Sequence, residues 1–259
     1  MIRLETLRVP KVEVQVLTGG EGPDLLFLHG AGGLVAEDPF LNALAARFRV
    51  HAPLLPGYGD SEECHEIRTM LDFTLHTHDV MSTLGLVRPV VVGHSMGGMI
   101  AAEMAAVAPN DIDRLALICP AGLWLDEHPM PDIFAMVPHE LPAVLFHDVE
   151  AGARMMTAGA DFSDLDFLQR FLVQNARQLG MAGKILFPIP DRGLAERLYR
   201  IRARTLLIWG ASDRLTPLPY AEAFRSGVAH SELVVIPEAG HMVPLEQTTR
   251  VVEAIGRLV

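Results

Sequence analysis

The sequence predicts an α/β fold in which a mostly parallel β-sheet has helices on both faces and carries a helical insertion. Short apolar runs without polar alternation recur along the 259 residues, as expected for strands that are covered on both faces. Segments with helical spacing separate these runs, and such alternation is typical of parallel sheets. Half of the residues are hydrophobic, which is sufficient for one large core.

The predicted strands begin with a ribbon and continue as buried runs. Residues 4–9 and 12–17 cluster or alternate β-branched residues, and a Gly-rich break at 19–23 separates them from the rest of the chain. The apolar runs that predict the remaining strands lie at 25–28, 50–55, 90–92, 115–118, 206–209 and 233–236. The segments with helical spacing lie at 40–48, 71–86, 96–107, 219–225 and 244–258.

One segment, residues 125–200, interrupts the alternation. It contains amphipathic helical patches and several prolines but no continuous apolar strand. We therefore expect an α/β core of residues 1–124 and 201–259, with a helical cap at 125–200 over one end of the sheet. The cap is rich in Phe and Met, and Met is suited to lining adaptable apolar sites.

Charge and composition exclude several classes of protein. Lys and Arg number 21 against 32 Asp and Glu, a net charge of −11 that would repel nucleic acids and anionic membrane surfaces. No apolar run approaches the roughly 20 residues of a membrane span, and no signal peptide is recognisable. Two cysteines, Cys64 and Cys119, are too few for a disulfide framework. We expect a cytoplasmic protein with reduced thiols, and the sequence is compatible with a monomer or a homodimer.

The sharpest local pattern is Gly-x-Ser-x-Gly around Ser95. It follows the apolar run at 90–92 and precedes a helical segment, the context that a nucleophile elbow requires. Small residues at Gly93 and Gly97 let a strained strand-to-helix turn pack closely. Ser95 is therefore the predicted nucleophile.

A serine nucleophile needs a general base and an acid that orients the base. Asp213 and His241 each follow a predicted buried strand. The order Ser95, Asp213, His241 is the one expected for a sheet of this topology. Glu238 and Asp126 are the alternative acids.

An oxyanion hole is the remaining requirement for acyl transfer. The Gly-rich stretch at 29–33 follows an early strand, so we assign one backbone N–H donor to Ala31, with Gly32 as the alternative. The other donor is Met96, directly after the nucleophile. The stretch lacks Gly-x-Gly-x-x-Gly and a P-loop Lys, and no cofactor is predicted.

Other histidines are expected to have supporting roles. His29 and His94 flank the functional loops, where we expect them to form hydrogen bonds rather than act as the general base. His76 and His78 lie two residues apart in a predicted helix, so they point to different faces and cannot form an i, i+4 metal pair. We expect both on the solvated surface, and no metal site is predicted.

Several spaced motifs together resemble the α/β-hydrolase fold superfamily, and specifically its serine-nucleophile, carboxylesterase-like members with a helical cap. The resemblance extends over nearly the whole chain, through HG at 29–30, PGYGDS at 56–61, GHSMGG at 93–98, GxxDxxxP at 210–217 and GH at 240–241. It implies an eight-stranded sheet, with the cap over the nucleophile. Dehalogenases and epoxide hydrolases of this fold carry an aspartate where this chain has Ser95. Meta-cleavage-product hydrolases typically carry Asn and Trp where this chain has His94 and Met242.

The residues and the resemblance together predict a serine hydrolase that cleaves carboxylic esters with an apolar acyl or alcohol group. The alternatives are a lactonase, a C–C bond hydrolase of the meta-cleavage-product type, and a hydrolase-fold protein that binds a small ligand. The residues expected to contact substrate are Gly30, Gly32, Trp124, Met136 and Met242. A cluster of arginines before Asp213 is either a solvated helix end or a clamp for a substrate carboxylate; its members are Arg197, Arg200, Arg202 and Arg204.

Overall fold

The computed structural model describes residues 2–34, 37–157, 163–187 and 192–259. Its strands are β1 (Arg3–Arg8), β2 (Glu13–Gly19), β3 (Asp24–Leu28), β4 (Arg49–Pro53), β5 (Val90–His94), β6 (Arg114–Ile118), β7 (Arg204–Gly210) and β8 (Ser231–Ile236). They form one sheet in the order β1-β2-β4-β3-β5-β6-β7-β8. β2 is antiparallel to both of its neighbours, β1 and β4, and the other neighbouring strands are parallel. The predicted eight-stranded, mostly parallel sheet is confirmed.

The α-helices are α1 (Pro39–Ala45), α2 (Met70–Thr83), α3 (Met96–Val107), α4 (Leu141–Leu145), α5 (Val149–Met156), α6 (Leu165–Leu186), α7 (Leu218–Gly227), α8 (Val243–Glu246) and α9 (Thr248–Gly256). A 3-10 helix at Ala195–Arg200 precedes β7. A capping box starts α2, because the Thr69 side chain accepts from the Asp72 N–H while the Asp72 carboxylate accepts from the Thr69 N–H. No helix in the described part of the chain is both long and apolar enough to cross a membrane.

The central strands are the best-covered part of the sheet. All five residues of β5 are buried, in agreement with its unbroken apolar sequence. The edge strand β8 differs from the prediction of a doubly covered strand, since Ile236 is its only fully buried residue and Val235 is 42% exposed. β8 has a sheet neighbour on one side only, which leaves much of the strand accessible to water.

Two predictions within the helices need correction. The segment at 244–258 forms two helices, because Gln247 leaves helical geometry with φ −134° and ψ 45°; after this break α9 packs on α1. His76 is buried rather than solvated, with 5% of its surface exposed. It lies between Phe73 and Val80 at helical spacing, on the face of α2 that is turned inward.

The chain between β6 and β7 is helical. Residues 125–200, called the helical segment below, contain α4, α5, α6 and the 3-10 helix. Within the described ranges 125–157, 163–187 and 192–200 no strand is found.

The turn from β5 into α3 depends on very close backbone packing. A Cβ atom on Gly97 would overlap the carbonyl groups of Leu28 and His29, and one on Gly93 would overlap the carbonyl of Gly97. Both positions therefore require glycine, as the motif predicts. This packing sets the start of α3 directly against the end of β3.

We predict that Gly97→Ala lowers the free energy of unfolding by roughly 3 kcal/mol or more, because only backbone movement can relieve the overlap. The matched control is Gly180→Ala in α6, where an added Cβ has open space around it. That change should raise the free energy of unfolding by about 0.5–1 kcal/mol, since alanine is the better helix former. Urea denaturation followed by circular dichroism measures both, and equal effects of the two substitutions would contradict the packing argument.

Candidate active site

Ser95 lies at the strained turn between β5 and α3. It adopts φ 54° and ψ −117°, a conformation that few residues other than glycine tolerate. Its N–H donates to the carbonyl of Ile118 on β6 (2.9 Å), which anchors the turn to the sheet. The side chain is thereby fixed at the carboxyl end of the central strands, with 9% of the residue exposed.

A chain of hydrogen bonds connects Ser95 to His241 and Asp213. His241 Nε2 lies 2.8 Å from Ser95 Oγ, and His241 Nδ1 lies 2.9 Å from Asp213 Oδ2. All three residues are buried. With the proton on Nδ1, His241 donates to Asp213 and accepts from the Ser95 hydroxyl. The structure thus brings together the three residues that the sequence pattern singled out, and this arrangement can activate a serine hydroxyl.

The carboxylate of Asp213 is held in its charged form. Its Oδ1 accepts from the N–H groups of Leu215 (2.9 Å) and Thr216 (2.8 Å), and its Oδ2 also accepts from Thr216 Oγ1 (2.8 Å). Burial alone would raise the pKa of Asp213, but the charge of the His241 ring and the hydrogen bonds from His241 and Thr216 outweigh it and lower the pKa. The sequence patterns did not predict a role for Thr216. A residue three positions after an Asp is nevertheless well placed to donate a hydrogen bond to that Asp side chain.

The loop that was expected to supply an oxyanion donor lies against the nucleophile. An added Cβ on Gly30 would sit 3.4 Å from Ser95 Cβ, so the backbone passes close to the serine. Met96 is the first residue of α3, where a backbone N–H has no acceptor within its own helix. Tyr58, fully buried, donates from its hydroxyl to the Ala31 carbonyl (3.2 Å) and lies 3.9 Å from the Met96 sulfur. Tyr58 thus links the two residues predicted to form the hole, and only the PGYGDS motif marked it in the sequence.

Two buried histidines support this loop and the histidine of the relay. His29 Nδ1 donates to the Gly30 carbonyl (2.7 Å), and its Nε2 accepts from the Leu55 N–H (3.1 Å). His94 Nε2 donates to the carbonyl of His241 (2.9 Å). Burial lowers the pKa of His29 to about 4 and, with the nearby charge of His241, that of His94 to about 3. Both rings are therefore neutral near pH 7, and the expectation that they support the loops by hydrogen bonding is confirmed.

Two cavities meet at Ser95. The larger has a volume of about 300 Å³, and the smaller about 50 Å³. Ser95, Ile133 and Leu215 line both cavities. The residues found only in the larger one include His241 and the predicted contacts Gly30, Gly32 and Met242. The residues found only in the smaller one include Met99, Gly122, Phe134, Arg192 and Thr216.

Two predicted substrate contacts lie elsewhere. Trp124 and Met136, both in the described part of the chain, are absent from the lining of either cavity. The indole N–H of Trp124 instead donates to Asp126 Oδ1 (2.9 Å). That bond also occupies Asp126, one of the alternative acids, and Asp213 rather than Glu238 or Asp126 carries the hydrogen bond to His241.

Two members of the arginine cluster, Arg197 and Arg200, bind residues of α3. Arg197 forms a bidentate ion pair with Glu103 (2.9 and 2.5 Å), and Arg200 donates to the Ala106 carbonyl (2.7 Å). The clamp interpretation is therefore wrong for Arg197 and Arg200, because both side chains are already bound to the helix behind the nucleophile.

A third side chain, Cys119, lies beside the Asp213–His241 pair, with its potential ligand atom within 4.8 Å of theirs. Burial and the adjacent Asp213 charge raise the pKa of the Cys119 thiol well above its ordinary value. The thiol therefore stays protonated, whereas metal ions bind the thiolate. Because Asp213 and His241 already share a hydrogen bond, this donor set suits the relay better than a metal ion.

The family of this chain follows from its similarity to known proteins. A model of the alpha/beta hydrolase family matches residues 25–254. The chain belongs to the α/β-hydrolase family. The chain is also 30% identical over 237 residues to a dihydrolipoyllysine-residue acetyltransferase component of an acetoin cleaving system from Cupriavidus necator, covering 88% of this chain and 61% of that protein.

A named esterase and a solved structure are also similar to this chain. A pimeloyl-[acyl-carrier protein] methyl ester esterase from Vibrio atlanticus is 26% identical over 236 residues, covering 86% of this chain and 88% of the esterase. A meta-cleavage product hydrolase from Pseudomonas fluorescens superposes with a TM-score of 0.79 at 20% identity, covering 98% and 97% of the two chains. The second likeness is one of fold. The protein is a hydrolase of the α/β-hydrolase type.

The neutral histidines predict a loss of stability in acid. His29, His76 and His94 have folded-state pKa values of about 4, 4 and 3, against 6.5 ordinarily. At pH values between the folded-state pKa and the ordinary pKa of a histidine, the unfolded chain binds more protons than the folded one. The free energy of unfolding therefore falls as the pH falls. The expected slope is about 1.4 kcal/mol per pH unit for each histidine.

Urea denaturation at several pH values between about 4 and 7 measures this slope. His76→Gln removes one of the three protons without touching the active site and should reduce the slope by about 1.4 kcal/mol per pH unit. An unchanged slope in that variant would show that His76 is not buried in its neutral form.

Proposed function

We propose that this protein is a metal-free serine hydrolase that cleaves carboxylic esters through an acyl-enzyme on Ser95. The observation that carries the proposal is the relay from Ser95 Oγ to His241 Nε2 (2.8 Å) and from His241 Nδ1 to Asp213 Oδ2 (2.9 Å). Distances in this range allow proton transfer in the folded protein without rearrangement of the three side chains.

In the first half of the reaction, Ser95 Oγ attacks the ester carbonyl while His241 Nε2 takes the hydroxyl proton. The backbone N–H groups of Ala31 and Met96 stabilise the tetrahedral oxyanion. Asp213 keeps the Nδ1 tautomer of His241 and stabilises the charged ring. His241 then gives the proton to the departing alkoxide, and the C–O bond breaks to release the alcohol.

In the second half, a water molecule attacks the acyl-enzyme. His241 Nε2 accepts a proton from the water, and the same N–H groups hold the second oxyanion. When the bond to Ser95 breaks, His241 returns the proton to Oγ. The acid leaves, and the relay is restored.

The lining of the larger cavity supports a substrate with an apolar group. Its apolar lining includes Leu141, Leu145, Phe146, Met156 and Leu179, all from the helical segment. Sites of this composition bind their ligands mainly by burial of apolar surface. We propose that residues 125–200 act as a cap over the nucleophile and supply this surface.

One relative supports ester chemistry at the level that its name allows. The Vibrio atlanticus relative is by name a methyl ester esterase. Against C–C cleavage of the meta-cleavage-product type, this chain places His94 and Met242 where such hydrolases typically carry Asn and Trp. We therefore propose ester hydrolysis ahead of lactone or C–C hydrolysis.

We predict that the purified protein releases nitrophenol from short- and medium-chain acyl esters, and that Ser95→Ala lowers kcat/KM by at least about a thousandfold. A fluorophosphonate probe should label the wild type at Ser95 and leave the variant unlabelled. The matched control is Ser82→Ala, which removes a hydroxyl from an exposed position on α2 and should retain full activity.

Undiminished turnover in Ser95→Ala would overturn the assignment of the nucleophile. A panel that also contains a lactone and a coloured ring-cleavage dienoate tests the reaction class, and a clear preference for either would replace the ester assignment. Correctly folded protein that neither turns over any of these compounds nor reacts with the probe would instead indicate a ligand-binding protein.

A further inference from the structure

The lining of the smaller cavity beside Ser95 includes a charged side chain, one buried atom of which has no hydrogen-bond partner. Arg192 contributes to the lining, together with apolar side chains such as Met99, Met130 and Phe134. Its Nε atom is buried without a hydrogen-bond partner. Among the described residues, no side chain forms an ion pair with Arg192. The residue is partly exposed, but its buried Nε lacks the hydrogen bond that would offset the loss of solvent at that atom.

The backbone of Arg192 is fixed relative to the nucleophile. Arg197 Nη2 donates to the Arg192 carbonyl (2.9 Å) and also pairs with Glu103 (2.5 Å). The Glu103 side chain is 4% exposed and belongs to α3, the helix that begins directly after Ser95. The Glu103–Arg197 ion pair therefore ties the Arg192 backbone to the same helix that positions the elbow.

Two acids in the described part of the chain, Glu103 and Asp213, are already engaged. Glu103 forms its bidentate pair with Arg197, and Asp213 accepts hydrogen bonds from His241, Leu215 and Thr216. Partial burial lowers the pKa of Arg192, as expected for a cation that has lost part of its solvent. Guanidinium groups bind carboxylates with two parallel hydrogen bonds, so a substrate carboxylate is the ligand that would satisfy this residue.

The position of His241 distinguishes the two halves of the substrate. In an acyl transfer the base must protonate the leaving alcohol, and His241 lines the larger cavity but not the smaller one. The alcohol half therefore fits the larger cavity, and the acyl half extends into the smaller one. A volume of about 50 Å³ restricts that half to a short chain.

Building on the proposed ester hydrolysis, we propose that Arg192 binds a carboxylate at the far end of a short acyl group. The substrates of this class are half-esters of short dicarboxylic acids. Attack by Ser95 would then release the alcohol, leave a carboxylate-bearing acyl-enzyme, and yield the dicarboxylic acid upon hydrolysis. The apolar alcohol half occupies the larger cavity.

The test compares kcat/KM for the monomethyl esters of succinate, glutarate and adipate with that for the methyl esters of the corresponding amic acids. Each pair differs only in a terminal carboxylate or carboxamide. We expect the wild type to prefer the best charged ester by about 10- to 100-fold, the usual range for a charge-assisted hydrogen bond. Arg192→Met should reduce this ratio to near one, and Arg192→Lys should keep part of it.

The matched control is Arg170→Met, which removes an exposed arginine from α6 and should leave the ratio unchanged. Binding of glutarate to Ser95→Ala, measured by calorimetry, gives a readout that is independent of turnover. The additional change Arg192→Met should abolish that binding. Circular dichroism establishes that each variant is folded.

The outcomes separate the two proposals. Failure to cleave any ester would overturn the proposed function itself. Cleavage of the neutral esters with no preference for the charged ones, or a preference that survives Arg192→Met, would overturn the role of Arg192 alone. A preference that depends on Arg192 but appears only with a carboxylate on the alcohol half, as in the butanoyl ester of hydroxypropanoic acid, would overturn the assignment of the acyl cavity.

Discussion

The close approach of three backbone segments at Ser95 is the constraint on which the rest of the site depends. The carbonyl of Leu28 at the end of β3 leaves no room for a side chain at Gly97, and Gly97 leaves none at Gly93. Ser95 is held at φ 54° between them, a strain of about 1–3 kcal/mol. The buried strands around it supply the packing that sustains this strain, since every residue of β5 is buried. The strained turn presents the Ser95 hydroxyl at the carboxyl edge of the sheet, where ligands bind in folds of this kind.

The loops around this turn are built from polar groups that satisfy one another. His29 and His94 stay neutral and use their ring nitrogens to hold the Gly30 carbonyl, the Leu55 N–H and the His241 carbonyl. Thr216 completes the shell of donors around Asp213. Because His29 and His94 are neutral, neither of them competes as a cation with His241 for the Asp213 carboxylate. Asp213 is therefore the charged group that orients His241.

The helical segment is bonded to the same loops. The Met242 N–H donates to the Leu145 carbonyl (2.9 Å), and Arg214 donates to the Phe146 carbonyl (3.0 Å). Glu246 accepts from the N–H groups of His147 (2.8 Å) and Gly240 (2.6 Å). These contacts join the region between α4 and α5 to the residues next to Asp213 and His241. The wall of the larger cavity and the relay are consequently parts of one connected structure.

The sequence by itself determined the α/β class, most of the element positions, and the residues of the relay. Each rests on a local signal: an unbroken apolar run, a helical spacing, or a Gly-x-Ser-x-Gly turn between a strand and a helix. Tertiary structure decided the rest. It buried His76, exposed much of β8, kept Trp124 away from the cavities, and brought Tyr58 to Ala31. It also paired Arg197 with Glu103 and left Arg192, outside the predicted cluster, beside Ser95. These features depend on contacts between residues far apart in the chain, which local periodicity does not encode.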